Sequence, residues 1–249
     1  MNRHMLRWLS PHHFLYLLLA HGIEPAPKRC RLPRWSEFIK SRLDSLAATD
    51  FFSVEVWTPN GLITYFVLFV IDLASRRVEI AGVTPSPDAS WMCRVARNLV
   101  DDGDGFLRGK QYLLMDRDGK YCPEFRAVLR QAGVTPIRLP PRSPNLNAFA
   151  ERFARSIKEE CLDRMIYFGE KMLRHAITNF VAHYHRERNH PGRGNRLLEP
   201  VEGVGQAISV SPLQPAAEGR GERDSQTFCD VVCHERLGGL LKYYERKSA

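Results

Sequence analysis

Residues 62–72 read LITYFVLFVID, an almost unbroken apolar run. A strand of that composition has to be buried on both faces, so it predicts the centre of a sheet that other elements cover. Its flanks agree. DFFSVEVWT (50–58) alternates apolar and polar residues and is followed by the turn signal PNG (59–61), and SRRVEIAGVT (75–84) supplies a third strand after a short turn. From there the pattern changes. A helix is expected over 87–101, with Pro87 and Asp88 near its start, then a glycine-rich acidic turn, DDGDG (101–105). QYLLMD (111–116) is a fourth strand, PEFRAVLRQAG (123–133) a helix closed by Gly133, and VTPIRLP (134–140) a short fifth strand. Helices from about 147 and over 169–188 complete the series. Three antiparallel strands followed by alternating helices and strands predict an α/β chain built on one mixed five-stranded sheet flanked by helices.

With 249 residues, 44% of them hydrophobic, the chain is long enough for one sizeable core and smaller appended pieces. Residues 1–48 are expected to be a short helical segment, with one helix ending at Gly22 and an amphipathic helix over 34–48. The core follows over 49–200. Residues 201–226, rich in Gly, Pro, Ser and Ala, read as a linker, and 227–249 as a basic tail with two short strands. The formal net charge is +8 and the pI about 9.3, which favours a polyanionic partner, nucleic acid or an anionic membrane. No apolar run reaches the ~18 residues that span a bilayer. The nearest, FLYLLLA (14–20), is not followed by a small-residue cleavage site, so a cytoplasmic protein is expected. Six scattered cysteines are then expected to stay reduced, and the CDVVCH stretch (229–234) has no second pair at zinc-finger spacing.

Three acids stand out. Asp50 lies on an otherwise apolar strand, Asp116 closes the fourth strand, and Glu151 opens the helix that follows PPRSPNLNAFA (140–150); the intervals are 66 and 35 residues. In a sheet of this order the first and fourth strands can be neighbours, and the later helix can carry Glu151 across to them. Three carboxylates in one cleft repel one another unless a cation lies between them, and hard divalent ions prefer such oxygen ligands. Plainer roles compete. Asp50 also reads as a solvated strand-end acid, Asp116 or Asp118 as turn formers in DRDG, and Glu151 as a complement to a helix N-terminus. Asp72 is explained by its turn and by Arg76 and Arg77, and Glu55 by alternation to the solvent face. Glu159 and Glu160 fit pairs with basic neighbours at helical spacing.

Taken in order, these motifs resemble the integrase catalytic core shared by retroviral integrases and bacterial insertion-sequence transposases. Thr49-Asp50 matches the family's first acid at a strand start. DRDGKY (116–121) matches its second-acid motif, with Asp116 as the acid and Tyr121 as the aromatic, although Arg117 and Asp118 stand where Asn and Gly are commonest. NAFAE (147–151) matches the NAxxE motif of the third acid, and YHRERNHPGRGNRLLEP (184–200) the segment that closes the core. The resemblance implies a ribonuclease H-like fold and two Mg²⁺ or Mn²⁺ ions held by Asp50, Asp116 and Glu151, with Asp118 near them. It also implies DNA cleavage followed by strand transfer without a covalent protein–DNA intermediate, and assembly as a homo-oligomer on DNA. Residues 1–48 are too short for the end-reading module that such enzymes usually carry upstream. A two-metal nuclease of the same fold and a DNA-binding remnant without catalysis are the alternatives.

Arg155 and Lys158 fall four and seven residues after Glu151 and so share its helical face. The resemblance implies that they contact DNA. Arg142 and Asn145 in the preceding loop, together with Arg152 and Arg138, are further candidates. HYHRERNH (183–190) adds a cationic cluster with no acid or cysteine expected at metal-ligand spacing.

Overall fold

The computed structural model of the chain describes residues 39, 41–140, 147–199 and 231–246. The chain divides into two units, Met1–Arg42 and Leu43–Ala249, and every element below belongs to the second. The sheet is formed by β1 (Leu46–Thr58), β2 (Gly61–Asp72), β3 (Val78–Thr84), β4 (Tyr112–Met115) and β5 (Thr135–Arg138), in the order β3-β2-β1-β4-β5. The first three strands are antiparallel, and β4 and β5 run parallel to β1. This is the ribonuclease H-like arrangement that the motifs imply. Helices α1 (Ala89–Leu99), α2 (Pro123–Gln131), α3 (Ala148–Glu160) and α4 (Glu170–Arg186) flank it.

The apolar run does what its composition requires. β2 is hydrogen-bonded on both edges, and its side chains alternate between two cores. Leu68 and Val70 join Met92, Val95, Ala96 and Leu99 of α1 and Phe125 and Leu129 of α2. Phe69 faces the other way, 4.8 Å between ring centroids from Phe153 of α3, which in turn lies 5.1 Å from Tyr184 and 6.2 Å from Phe180 of α4. Gly82 of β3 lies where a Cβ would come within 2.5 Å of the Trp91 ring, so the strand accepts α1 there only because the side chain is missing. Asp88 caps α1 by accepting from Trp91 N–H.

Two expectations change. Leu46, Ala47 and Ala48, assigned by helical periodicity to a helix over 34–48, are the first residues of β1 and are fully buried; a single turn of 3-10 helix, Leu43–Ser45, precedes them. Small apolar residues fit either element, and the sheet decides. Asp72 takes its charge partner from Lys110, at 2.8 Å, and also bonds Ser75, while Arg77 pairs with Glu199. The two tail strands form as a hairpin, β6 (Val231–Arg236) and β7 (Leu241–Arg246). The expected linker and the helix ending at Gly22 lie outside the described residues. Among the described residues, no helix is long and apolar enough to cross a membrane.

Phe153 is fully buried between β2 and α4. Phe153→Ala should therefore cost about 3–5 kcal/mol, read as a lowered denaturant midpoint with an unchanged slope.

Candidate active site

β1 and β4 pair over only three positions, Leu46 with Tyr112, Ala47 with Leu113 and Ala48 with Leu114. Two residues beyond the last pair lie Asp50 on β1 and Asp116 just past β4. The common offset puts both acids on the same side of the sheet, where the strands begin to part. Glu151 arrives from a third element. Asn147, buried at the start of α3, donates from Nδ2 to the carbonyl of Thr49 at 3.3 Å, so the helix is fastened to the backbone immediately before Asp50. Glu151 follows one turn later, half-buried like Asp50 and Asp116.

The electrostatics record the convergence. The Asp50 carboxyl is raised from 3.8 to about 6: burial acts most strongly, the Phe51 N–H opposes it, and the charges of Asp116, Glu151 and Asp118 add to the rise. Asp118 lies below its ordinary range despite burial, because Lys120 offers it both its ammonium and its backbone N–H. Asp118 N–H donates to Asp116 Oδ1 at 3.0 Å, and Phe51 N–H to Asp50 Oδ1 at 2.8 Å. Asp116 thus serves its own turn. Among the described residues, no group of three His, Cys, Asp or Glu side chains is drawn together tightly enough to hold an ion. Asp50 and Asp116 each accept from a nearby backbone N–H instead.

Several residues around the site make contacts that their motifs do not reveal. Thr49 donates its hydroxyl to the Phe69 carbonyl at 2.8 Å, locking β1 to β2 beside Asp50. Arg117 turns to the Leu139 carbonyl at 2.9 Å and ties the end of β4 to the end of β5. Tyr121 is buried against Phe51 and Phe125. Asn147 was legible only as part of the NAFAE motif; its bond to Thr49 needed the fold.

Of the cationic candidates, Arg152 and Arg155 are exposed on α3, Lys158 is half-exposed there, and Arg138 is exposed at the end of β5. Arg142 and Asn145 lie outside the described residues. Two expectations fail here. HYHRERNH is largely internal: His183 bonds Glu187, an acid four residues on, His185 Nε2 accepts from Val78 N–H, and His190 bonds the Tyr184 carbonyl. Glu160 pairs with Arg188, two residues beyond α4, rather than at helical spacing on α3. Among the described residues, Cys93, Cys122, Cys161 and Cys233 are free thiols.

Comparison with known proteins places part of this arrangement. Residues 132–196, which hold β5, α3 and α4, match the family model described as "Integrase core domain". No curated protein matches the chain. Among solved structures, the chain is similar to the catalytic core domain of BIV integrase, at 15% identity and a TM-score of 0.45, covering 62% of this chain and 91% of that one. It is also similar to the HTLV-2 integrase catalytic core domain in complex with magnesium, in a trimeric form (12% identity, TM-score 0.46, 61% and 92% covered) and a dimeric form (12%, 0.43, 57% and 86%).

The raised carboxyl gives a test. Above about pH 6 Asp50 is ionised in the folded chain at a cost; between about 6 and 3.8 the folded chain holds a proton that the unfolded chain has lost, so stability from this group rises as pH falls. Asp50→Asn should therefore stabilise the metal-free protein near pH 8 by up to about 3 kcal/mol, with the gain fading as pH falls from about 6 to about 4, as measured by denaturant titration at several pH values. Over Ala132–Arg196, the segment that carries Glu151, the chain bears the sequence pattern of an integrase core domain.

Proposed function

We propose that the chain is a divalent-metal-dependent polynucleotidyl transferase that cuts DNA strands and joins a 3′-hydroxyl to target DNA, with Asp50, Asp116 and Glu151 as its catalytic acids. The carrying observation is geometric: the β1–β4 register brings Asp50 and Asp116 out on one side of the sheet, and Asn147 fastens the helix that carries Glu151 to the Thr49 carbonyl. The match of 132–196 to an integrase core domain supports the same reading.

The donor set fits hard ions. It offers carboxylate oxygens, without a thiolate or imidazole among the three, and its unbalanced negative charge is what a divalent cation would offset. Two Mg²⁺ or Mn²⁺ ions held by Asp50, Asp116 and Glu151 would supply activation of the attacking oxygen and stabilisation of the leaving oxygen. The chain's own residues then have separate tasks. Asn147 holds the first turn of α3 against β1 and so sets where Glu151 stands relative to Asp50. Lys120 keeps Asp118 ionised and occupied, which leaves Asp116 as the acid of that turn available to the cleft. Arg155 and Lys158, four and seven residues past Glu151, would lie along bound DNA and hold its phosphates. Water or a 3′-hydroxyl attacks phosphorus directly, and no side chain is placed as a covalent nucleophile. DNA is the partner, engaged by a homo-oligomer.

The test is a nicking and strand-transfer assay on duplexes bearing candidate element ends, with Mg²⁺ or Mn²⁺. Wild type should nick and join, and Asp116→Asn should lose at least about a hundredfold, since charge stabilisation by a held cation is worth several kcal/mol and about 1.4 kcal/mol is a factor of ten. Unchanged activity in the mutant would sink the assignment. Cleavage without joining would favour a nuclease, and DNA binding without cleavage a non-catalytic remnant.

A further inference from the structure

A second cationic feature lies away from the Glu151 line. Phe149, Arg152, Ser156 and Glu160 follow one another at helical spacing on α3 and form a strip that Glu151, Arg155 and Lys158 do not share. Two arginines from elsewhere in the chain are laid on this strip. Arg76, from the β2–β3 turn, stacks its guanidinium 3.2 Å from the Phe149 ring centroid. Arg188, beyond α4, bonds Ser156 and Glu160 and lies 5.6 Å from the Tyr184 ring centroid. Arg152 sits between them in sequence and on the same strip. Near Arg76 is also Arg193, whose Nη1 bonds the carbonyls of Ala74 and Ser75.

Four guanidinium groups therefore gather where Glu160 is the acid of the strip, and Glu160 is already taken by Arg188. Asp72, the next acid, is engaged by Lys110 and Ser75. Arg76 itself is poorly satisfied. Its Nη1 is buried without a hydrogen-bond acceptor, and its backbone is left-handed at φ 67°, a region a non-glycine residue enters at some expense. Burial and then the charge of Arg193 push its guanidinium below the ordinary value, and Arg152 adds to that. Tyr184, buried beside the strip, feels the charges of Arg188, Arg76 and Arg152 together. A strained, partly buried cation among like charges is stabilised by an anion more than by anything else.

We infer that Arg76, Arg152 and Arg193, on the Phe149 strip of α3, form a second phosphate-binding site that takes the sugar–phosphate backbone of a DNA strand apart from the strand at the catalytic acids. The chemistry is that of a phosphate oxygen accepting from guanidinium forks, which arginine suits by its geometry. The site rests on the proposed action on DNA for its choice of ligand, while its own evidence is independent of the metal-holding acids. It gives one protomer two phosphate-binding faces on one helix, so a second segment of strand can be held while the first is cut. A free phosphate ion presents the same oxygens, and the experiment separates the two sources.

Binding of a fluorescent duplex to the full chain is measured by anisotropy in EDTA, across a salt series, for wild type, Arg76→Gly, Arg152→Gln, and the Arg155→Gln/Lys158→Gln pair. Glycine at 76 accepts the left-handed backbone, so that variant should keep or gain thermal stability while losing the guanidinium. Arg76→Gly and Arg152→Gln should each weaken binding by about three- to tenfold at low salt and reduce the salt slope by about one. Unchanged affinity and slope in these two variants, with loss in the Arg155/Lys158 pair, would overturn the second site and leave the proposed function standing. Unchanged binding in every variant would count against both. Thermal protection of wild type by millimolar inorganic phosphate, lost in Arg76→Gly, with DNA binding unaltered, would assign the site to a free phosphate and overturn its role on DNA.

Discussion

Three rungs of parallel pairing between β1 and β4 hold the candidate site together. Leu46, Ala47 and Ala48 meet Tyr112, Leu113 and Leu114, all but Tyr112 fully buried, and the strands separate immediately afterwards. That short contact fixes the register in which Asp50 and Asp116 emerge on one side of the sheet, and a slip of one residue on either strand would turn one acid to the opposite face. Everything else at the site is referred to those rungs. Thr49 locks β1 to β2, Asn147 fastens α3 to the Thr49 carbonyl, and Arg117 carries the register on to β5.

The arrangement works against the stability of the chain that carries it. A half-buried Asp50 is held among three other carboxyls, and its proton affinity rises accordingly. A chain selected for stability alone would place an amide or an apolar residue there. Retaining the acid makes sense where the like charges have a use, such as holding divalent cations against a phosphodiester. The arginines around Phe149 are the same situation with the sign reversed. In both places charges of one sign are brought together, and α3 contributes one member to each set, Glu151 to the acids and Arg152 to the arginines.

Behind the site, the C-terminal end of α4 does structural work. His183 and Arg236 both bond Glu187, whose side chain is only 5% exposed, and Arg236 makes a two-nitrogen fork onto it. The β6–β7 hairpin is thereby docked on the same helix whose Tyr184 and Phe180 pack against Phe153 of α3. Basic residues that look like a solvent-facing or DNA-facing cluster in the sequence are spent on internal bonds, because His183, His185 and His190 fall on the side of the chain that meets β3, Tyr184 and the hairpin.

The sequence by itself determined the number and type of the core strands and helices, since β2 could only be central and period-2 and period-3.6 patterns separate cleanly after residue 49. It also singled out three acids as candidates, through motifs whose spacing is read without any structure. Only the tertiary structure decided where β1 begins, because Leu46–Ala48 are small and apolar and become strand through pairing with β4, a partner more than sixty residues away in sequence. Only the fold decided the roles of Asn147, Arg117 and Arg76, whose partners are backbone carbonyls or a ring in other elements. Periodicity is a property of neighbouring residues, so it reports which face of an element is buried. It carries no information on which distant group that face will meet, and a site built from three elements consists of such meetings.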